Sequence, residues 1–81
     1  MRIKENISLT SCKNGHACKI VAVLGDKQVK GRLEALGIRK GKELIKKTQQ
    51  PGNGPVIVVC GNFEIAIGYE LAQNVIVNVE V

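Results

Sequence analysis

Aromatic residues are nearly absent from this sequence of 81 residues. It has no Trp, one Tyr and one Phe, so few rings are available on which nucleic-acid bases could stack. The apolar residues are mainly Val, Ile, Leu and Ala, and the β-branched members of this set favour a sheet-rich interior. The length predicts one domain, spanning residues 1–81, with a single core.

Long apolar runs are also missing. None exceeds five residues, the length of Val56–Cys60, whereas a transmembrane helix needs about 20. Residues 1–6, which we expect to be a flexible N-terminus, lead into no apolar segment of the kind found in secretion signals. The three Cys cannot all pair with one another, which indicates a reducing compartment. We therefore expect a cytoplasmic protein that conducts nothing itself.

Recognisable catalytic motifs are lacking as well. With one His, one Asp and two Ser, the chain could supply Ser11, His16 and Asp26 as a triad, but no nucleophile-elbow sequence surrounds Ser11. No phosphate-loop signature occurs. The sequence therefore predicts a protein that is not an enzyme and has no resident cofactor.

Positive charge is abundant. The formal net charge is +5, which favours an acidic partner: nucleic acid, an anionic membrane leaflet or an acidic protein face. The cations that could form one positive face around a helix and its exit are Lys27, Lys30, Arg32, Arg39, Lys40 and Lys42, with Lys46 and Lys47 nearby. A solvated surface is the alternative interpretation of each of these side chains.

The pattern predicts five strands, over residues 18–24, 42–50, 56–60, 63–67 and 75–81, with one helix after the first strand. Asp26 is placed to cap that helix, on which Val29, Leu33 and Leu36 share one face. A short helical turn is expected between Tyr69 and Asn74.

Glycines mark the end of the helix and its middle. Gly37 is placed to adopt a left-handed conformation just past the last turn, with Ile38 folding back onto Leu33. Gly31 lies inside the helix, which predicts close packing against another backbone. The tight Gly61-Asn62 turn joins two strands, where an OB-type barrel would have its helix. We therefore predict a mostly β fold with one or two short helices, an SH3-like small β-barrel.

Cys12, His16 and Cys18 form the one candidate metal site. Thiolate and imidazole are good ligands for zinc or ferrous iron, and a turn could bring the three together. The spacing Cys-x-x-x-His-x-Cys matches no standard structural site, however. The alternative is a buried Cys18, with Cys12 and His16 exposed.

The segment Arg32-Leu-Glu-Ala-Leu-Gly-Ile-Arg-Lys-Gly41 resembles a motif of the ferrous iron transport protein A (FeoA) family, Arg-Leu-x-x-(Leu/Met)-Gly-(hydrophobic)-x-x-Gly. Leu9, Gly15, Ala72 and the strand beginning at Val75 extend the resemblance over nearly the whole chain from Leu9 onward. The resemblance implies an SH3-like fold and a small cytoplasmic accessory or regulatory protein of the membrane transporter FeoB, which carries a GTP-binding domain.

A docking face on such a transporter is the role expected from the resemblance and the basic clusters together. The residues predicted to bind the partner come from the helix, its exit and the following Pro-Gly loop: Lys30, Arg32, Leu36, Gly37, Ile38, Arg39, Lys40, Gly41, Pro51, Gly52 and Asn53.

Two other functions stay open. One is a transition-metal-binding protein or iron chaperone using Cys12, His16 and Cys18, and the other is a small nucleic-acid-binding barrel. Homo-oligomerisation through an exposed strand edge also stays open.

Overall fold

The computed structural model describes residues 4–80. In chain order, the elements within these residues are β1 (Lys4–Ser8), a 3₁₀ turn (Leu9–Ser11), β2 (Ala17–Val23), α1 (Lys27–Ala35), β3 (Glu43–Gln49), β4 (Val56–Cys60), β5 (Phe63–Ile67), α2 (Tyr69–Ala72) and β6 (Val75–Glu80). The prediction of a mostly β chain with one or two short helices is confirmed, since two are present among the described residues. None of the described helices is long and apolar enough to cross a membrane.

All the strands lie in one antiparallel sheet with the order β1-β6-β2-β3-β4-β5. In the described part of the chain the sheet is open, because β1 and β5 each pair on one side only. The predicted hairpin is confirmed, since Cys60 pairs with Phe63 across the Gly61-Asn62 turn. Gly61 has a φ of 64°, a conformation that glycine adopts without steric cost.

β1 is the strand that the sequence did not predict. Residues 4–6, expected to belong to a flexible N-terminus, pair with β6 from Lys4↔Glu80 to Asn6↔Asn78. Lys4, Glu5 and Asn6 are exposed and polar, so they carry no strand signal. They are held by backbone pairing with β6 and, at Asn6, by a side-chain hydrogen bond in which Asn78 Nδ2 donates to Asn6 Oδ1 at 2.8 Å. Residues 1–3 of the predicted N-terminus, and Val81 of the last predicted strand, lie outside the described residues.

One apolar core occupies one face of this sheet. The alternation predicted for the last strand is confirmed, because Val75, Val77 and Val79 are all buried while their neighbours are less so. Strands β2 to β6, both helices and the 3₁₀ turn all contribute to the same buried cluster. Because each strand presents one face to that cluster, the sheet must curve around it.

Helix α1 is delimited as predicted. The Asp26 carboxylate accepts a hydrogen bond from the Val29 N–H at 2.9 Å, which caps the N-terminus. At the other end Gly37 has a φ of 83°. The Ile38 N–H donates to the Leu33 carbonyl at 2.9 Å, and the Gly37 N–H donates to the Glu34 carbonyl at the same distance, which is the Schellman motif.

Gly31 differs from its prediction. A Cβ placed on it would have no heavy atom within 4 Å, so this glycine does not mediate close packing. It lies on the exposed side of α1, since the one buried residue of the helix is Leu33.

Gly37 and Gly31 provide a matched pair of substitutions. Gly37→Ala should lower the free energy of unfolding by about 1–2 kcal/mol, because a Cβ at a φ of 83° is strained even with open space around it. Gly31→Ala should raise it by about 1 kcal/mol, since the helical backbone there accepts alanine. Urea unfolding of both variants tests this, and equal effects would contradict the assigned conformation of Gly37.

Candidate functional site

A basic groove lies between α1 and β2. Its cationic wall consists of Lys30, Arg39 and Lys40, with Glu34 as the one acidic member. The floor is apolar, from residues 21–23 and Ile38, and the volume is about 400 Å³. Three cations around an apolar floor favour an acidic protein surface that also carries apolar side chains.

The backbone around the exit of α1 fixes the position of this groove. Ile20 of β2 donates its N–H to the Lys42 carbonyl at 2.8 Å and accepts from the Gly41 N–H at 2.8 Å. Gly41 has a φ of 93°, which allows the chain to turn back into β3. Arg39 and Lys40 therefore extend from a turn whose C-terminal end is bonded to the central sheet and whose N-terminal end is bonded to α1 through the Ile38 N–H.

Ile38 is buried beneath this groove, so its side chain is not available to a partner. It was predicted as a partner-binding residue, but it is 1% exposed and belongs to the core. Its apolar contact with Leu33 in the helix stop requires that burial. Arg32 and Gly41, in contrast, are exposed.

Leu36 and Gly37 line a second groove, here called the Phe63 groove. The other residues around it are Lys42, Cys60, Phe63, Glu64 and Ile65, and its volume is about 270 Å³. Phe63 is 74% exposed and Leu36 is 39% exposed. The helix exit therefore separates two surfaces, one basic and one largely apolar.

The loop of residues 51–53 lies elsewhere. It precedes Val56, which pairs with Ile67 at the end of the β4–β5 hairpin opposite the Gly61-Asn62 turn. Asn53 lines a cavity with residues of α2, whereas the Phe63 groove lies at the turn end. The predicted partner-binding residues are thus distributed over three places on the surface.

Lys46 is the largest departure from the predicted basic surface. It is 2% exposed, and its Nζ donates to the carbonyls of Thr10 at 3.2 Å and Cys12 at 2.6 Å and to Gln49 Oε1 at 2.7 Å. Burial lowers the pKa of Lys46, and the nearby thiols of Cys12 and Cys18 oppose that shift. Lys46 therefore belongs to the interior and not to the docking charges.

The three predicted metal ligands do not come together in one site, although the Cys12 and Cys18 thiols are neighbours. Among residues 4–80 no group of three or more His, Cys, Asp or Glu side chains is placed to hold a metal ion. Cys12 and His16 line one cavity of about 370 Å³, whereas Cys18 lines a different one. The alternative interpretation without a metal predicted an exposed Cys12 and a buried Cys18. Cys18 is buried as predicted, but Cys12 is buried in the core as well.

The Cys18 thiol is held in its neutral form. Burial, followed by the neighbouring Cys12 thiol, raises the pKa of Cys18 from 9.0 to about 12, and Lys46 lowers it in part. A thiol with so high a pKa is a poor nucleophile near neutral pH. Cys18 accordingly behaves as a small apolar residue of the core.

Two features were missed from the sequence although signals for them existed. Lys46 lies two residues after the buried Leu44, so strand alternation places its side chain on the inner face. Phe63 immediately follows the Gly61-Asn62 turn, where a strand end projects beyond the core. The Phe63 groove itself had no local signal, because the residues that line it, such as Leu36 and Phe63, are distant in the chain.

Comparisons with known proteins agree with this architecture. A family model described as the FeoA domain matches residues 7–79. A crystal structure of an iron uptake regulatory protein (FeoA) is similar with a TM-score of 0.82 and 25% identity, over 95% of this chain and 99% of that one. A comparison with curated proteins gave no match.

More distant structures share the fold. A FeoA-like protein from Clostridium acetobutylicum has a TM-score of 0.82 at 17% identity, over 93% of this chain and 87% of that one. A manganese-dependent transcriptional repressor has a TM-score of 0.82 at 19% identity, over 98% of this chain but 44% of its own. The SH3-like class predicted from the sequence is confirmed by these likenesses.

Lys46 and its neighbour Lys47 allow a controlled test of the buried ammonium group. Lys46→Met should lower the free energy of unfolding by about 1–3 kcal/mol, because the carbonyls of Thr10 and Cys12 lose their donor in a buried site. Lys47→Met removes an ion pair with Glu64 in which both side chains are more than half exposed, so it should cost less than about 1 kcal/mol. Equal losses in urea unfolding would contradict the structural role of Lys46.

The raised pKa of Cys18 predicts a pH dependence of stability. The unfolded thiol ionises near pH 9.0 and the folded one near 12, so the unfolded state binds fewer protons between these values and the wild-type protein loses stability as the pH rises. Cys18→Ala should remove this contribution. Urea unfolding of both proteins at about pH 8 and about pH 10.5 should show the steeper loss in the wild type, and parallel losses would contradict the shift.

Proposed function

The chain belongs to the FeoA domain family, which is associated with ferrous iron uptake, and we propose on this premise a non-enzymatic accessory role. In this proposal the protein docks onto the cytoplasmic side of a FeoB-type ferrous iron transporter and biases the conformation of its GTP-binding machinery. The partner performs the chemistry, and this chain supplies a binding surface.

The observation that carries the proposal is the convergence of Lys30, Arg39 and Lys40 on the basic groove. Two of these cations lie within residues 32–41, the segment with the most specific resemblance to the family. The formal charge of +5 adds long-range attraction for an acidic face and speeds encounter with it.

The backbone that carries the basic groove is bonded to the sheet, which is favourable for a regulatory role. Because Gly41 and Lys42 bond to Ile20 of the central sheet, the cations would reach a partner without reordering of the backbone, which limits the entropic cost of binding. An effector changes its partner only through a difference in affinity for two states, typically 1–3 kcal/mol of coupling.

The experiment is an NMR titration of the isotopically labelled protein with the cytoplasmic GTP-binding domain of a FeoB-type transporter from the same source. Amide shifts should concentrate in residues 27–42. The double reversal Arg39→Glu with Lys40→Glu should weaken binding by at least about tenfold, because it replaces two attractive contacts with repulsive ones.

Lys4→Glu with Lys19→Glu is the matched control. Both lysines are exposed and line a cavity on another part of the surface, and this double reversal changes the net charge by the same amount. If the two double variants weaken binding equally, the partner is attracted by the net charge of the protein, and the basic groove is not the docking face. Unchanged affinity after reversal at Arg39 and Lys40 would reject the groove outright.

A further inference from the structure

The two edges of the sheet differ in how well they are protected against pairing. The β1 edge has the sequence Lys-Glu-Asn-Ile-Ser, with charged and amide side chains along it. The β5 edge has the sequence Phe-Glu-Ile-Ala-Ile, with no Lys, Arg or Pro and with Glu64 as its one charged residue. Soluble proteins usually protect edge strands with charges, especially Lys, or with Pro. By this standard β1 is protected and β5 is open to another strand.

The backbone of β5 has free pairing groups on its outer side. In a hairpin closed by a two-residue turn, the pair next to the turn is hydrogen-bonded and the pairs alternate from there. Phe63, Ile65 and Ile67 therefore point their N–H and C=O groups at β4, while Glu64 and Ala66 point theirs away. Among the described residues, the backbone hydrogen bonds formed outside helices and strands include none to Glu64 or Ala66.

The Phe63 groove continues from this edge. Phe63 and Ile65 line it from β5, and Leu36 lines it from the end of α1. A strand added beside β5 would point alternate side chains toward the same face as Phe63 and Ile65. One of these side chains would enter the groove, whose volume of about 270 Å³ accommodates an aliphatic residue.

The positive charge of the chain favours an acidic segment as the strand that pairs with β5. Lys42 and Glu64 both line the groove, and Glu64 is paired with Lys47 at 2.8 Å, so these three groups together carry one net positive charge. Each copy of the chain carries a formal charge of +5, so two copies would repel each other while an acidic segment would be attracted. We propose that β5 binds an extended, net-acidic segment of a partner protein by strand addition, with an apolar side chain of that segment in the Phe63 groove. This site is separate from the basic groove and does not depend on the function proposed above.

The test uses the whole chain and a blocked hexapeptide, Glu-Val-Asp-Val-Glu-Val, which alternates acidic and apolar residues. We expect weak binding, with a Kd on the order of 0.1–1 mM, because few hydrogen bonds form. Hydrogen exchange followed by NMR is the specific readout. Without peptide the Glu64 and Ala66 amides should exchange rapidly, and at saturation both should become protected, with shifts at Phe63 and Leu36.

Two controls separate strand pairing from nonspecific attraction. A peptide of the same sequence with methylated backbone nitrogens keeps its side chains and charge but cannot donate ladder hydrogen bonds, and it should bind at least about tenfold more weakly. Ala66→Pro should weaken binding similarly, because it removes an outward N–H that an edge strand can lose without disruption. Ala66→Val, which keeps that N–H, should bind the peptide like the wild type.

Several outcomes would overturn the proposal. Equal binding of the methylated and unmethylated peptides, or exchange at Glu64 and Ala66 that stays unchanged at saturation, would exclude strand addition. Shifts confined to Arg39 and Lys40 would assign the peptide to the basic groove instead. Protection of Glu64 and Ala66 that grows with protein concentration, without peptide, would identify a second copy of the chain as the occupant.

Discussion

The buried ammonium group of Lys46 is the constraint around which this small fold is organised. Its Nζ bonds to the carbonyls of Thr10 and Cys12, while its backbone carbonyl accepts from the Gly15 N–H at 2.6 Å and its own N–H donates to the His16 carbonyl at 3.1 Å. One residue thus attaches the segment between β1 and β2 to the third strand. That segment carries Leu9 and Cys12 into the core. A charge in so small an interior is tolerated because its donors are matched by carbonyl and amide acceptors.

The surfaces proposed for binding lie away from this constraint, at the two sides of the exit of α1. The Schellman stop turns the chain so that Arg39 and Lys40 face one side while Leu36 and Gly37 face the other. One buried residue, Ile38, lies between them and holds the turn against the core. A short glycine-rich motif therefore determines the positions of two chemically different surfaces, which explains how so small a domain can present more than one.

The sequence predicted those parts of the structure that depend on near neighbours. The cap at Asp26, the stop at Gly37, the hairpin at Gly61 and the alternation of β6 all follow from residues close in the chain, and all are confirmed. β1 was missed because its polar residues are held by pairing with a strand about 70 positions away. Lys46 was assigned to the surface because charge was given more weight than strand alternation. The Phe63 groove could not be foreseen, since only the tertiary fold brings Leu36 and Phe63 to the same cavity.

The unequal edges of the sheet also bear on assembly geometry. A protein with two unprotected edge strands can pair with a further copy at each edge and so grow into a fibre. A protein with one unprotected edge strand can pair only once, which ends such growth. Here the β1 edge carries Lys4, Glu5 and Asn6, whereas Glu64 is the one charged residue of the β5 edge. If β5 accepts a strand as proposed, each copy binds one strand donor, and the charged β1 edge disfavours further edge-to-edge growth.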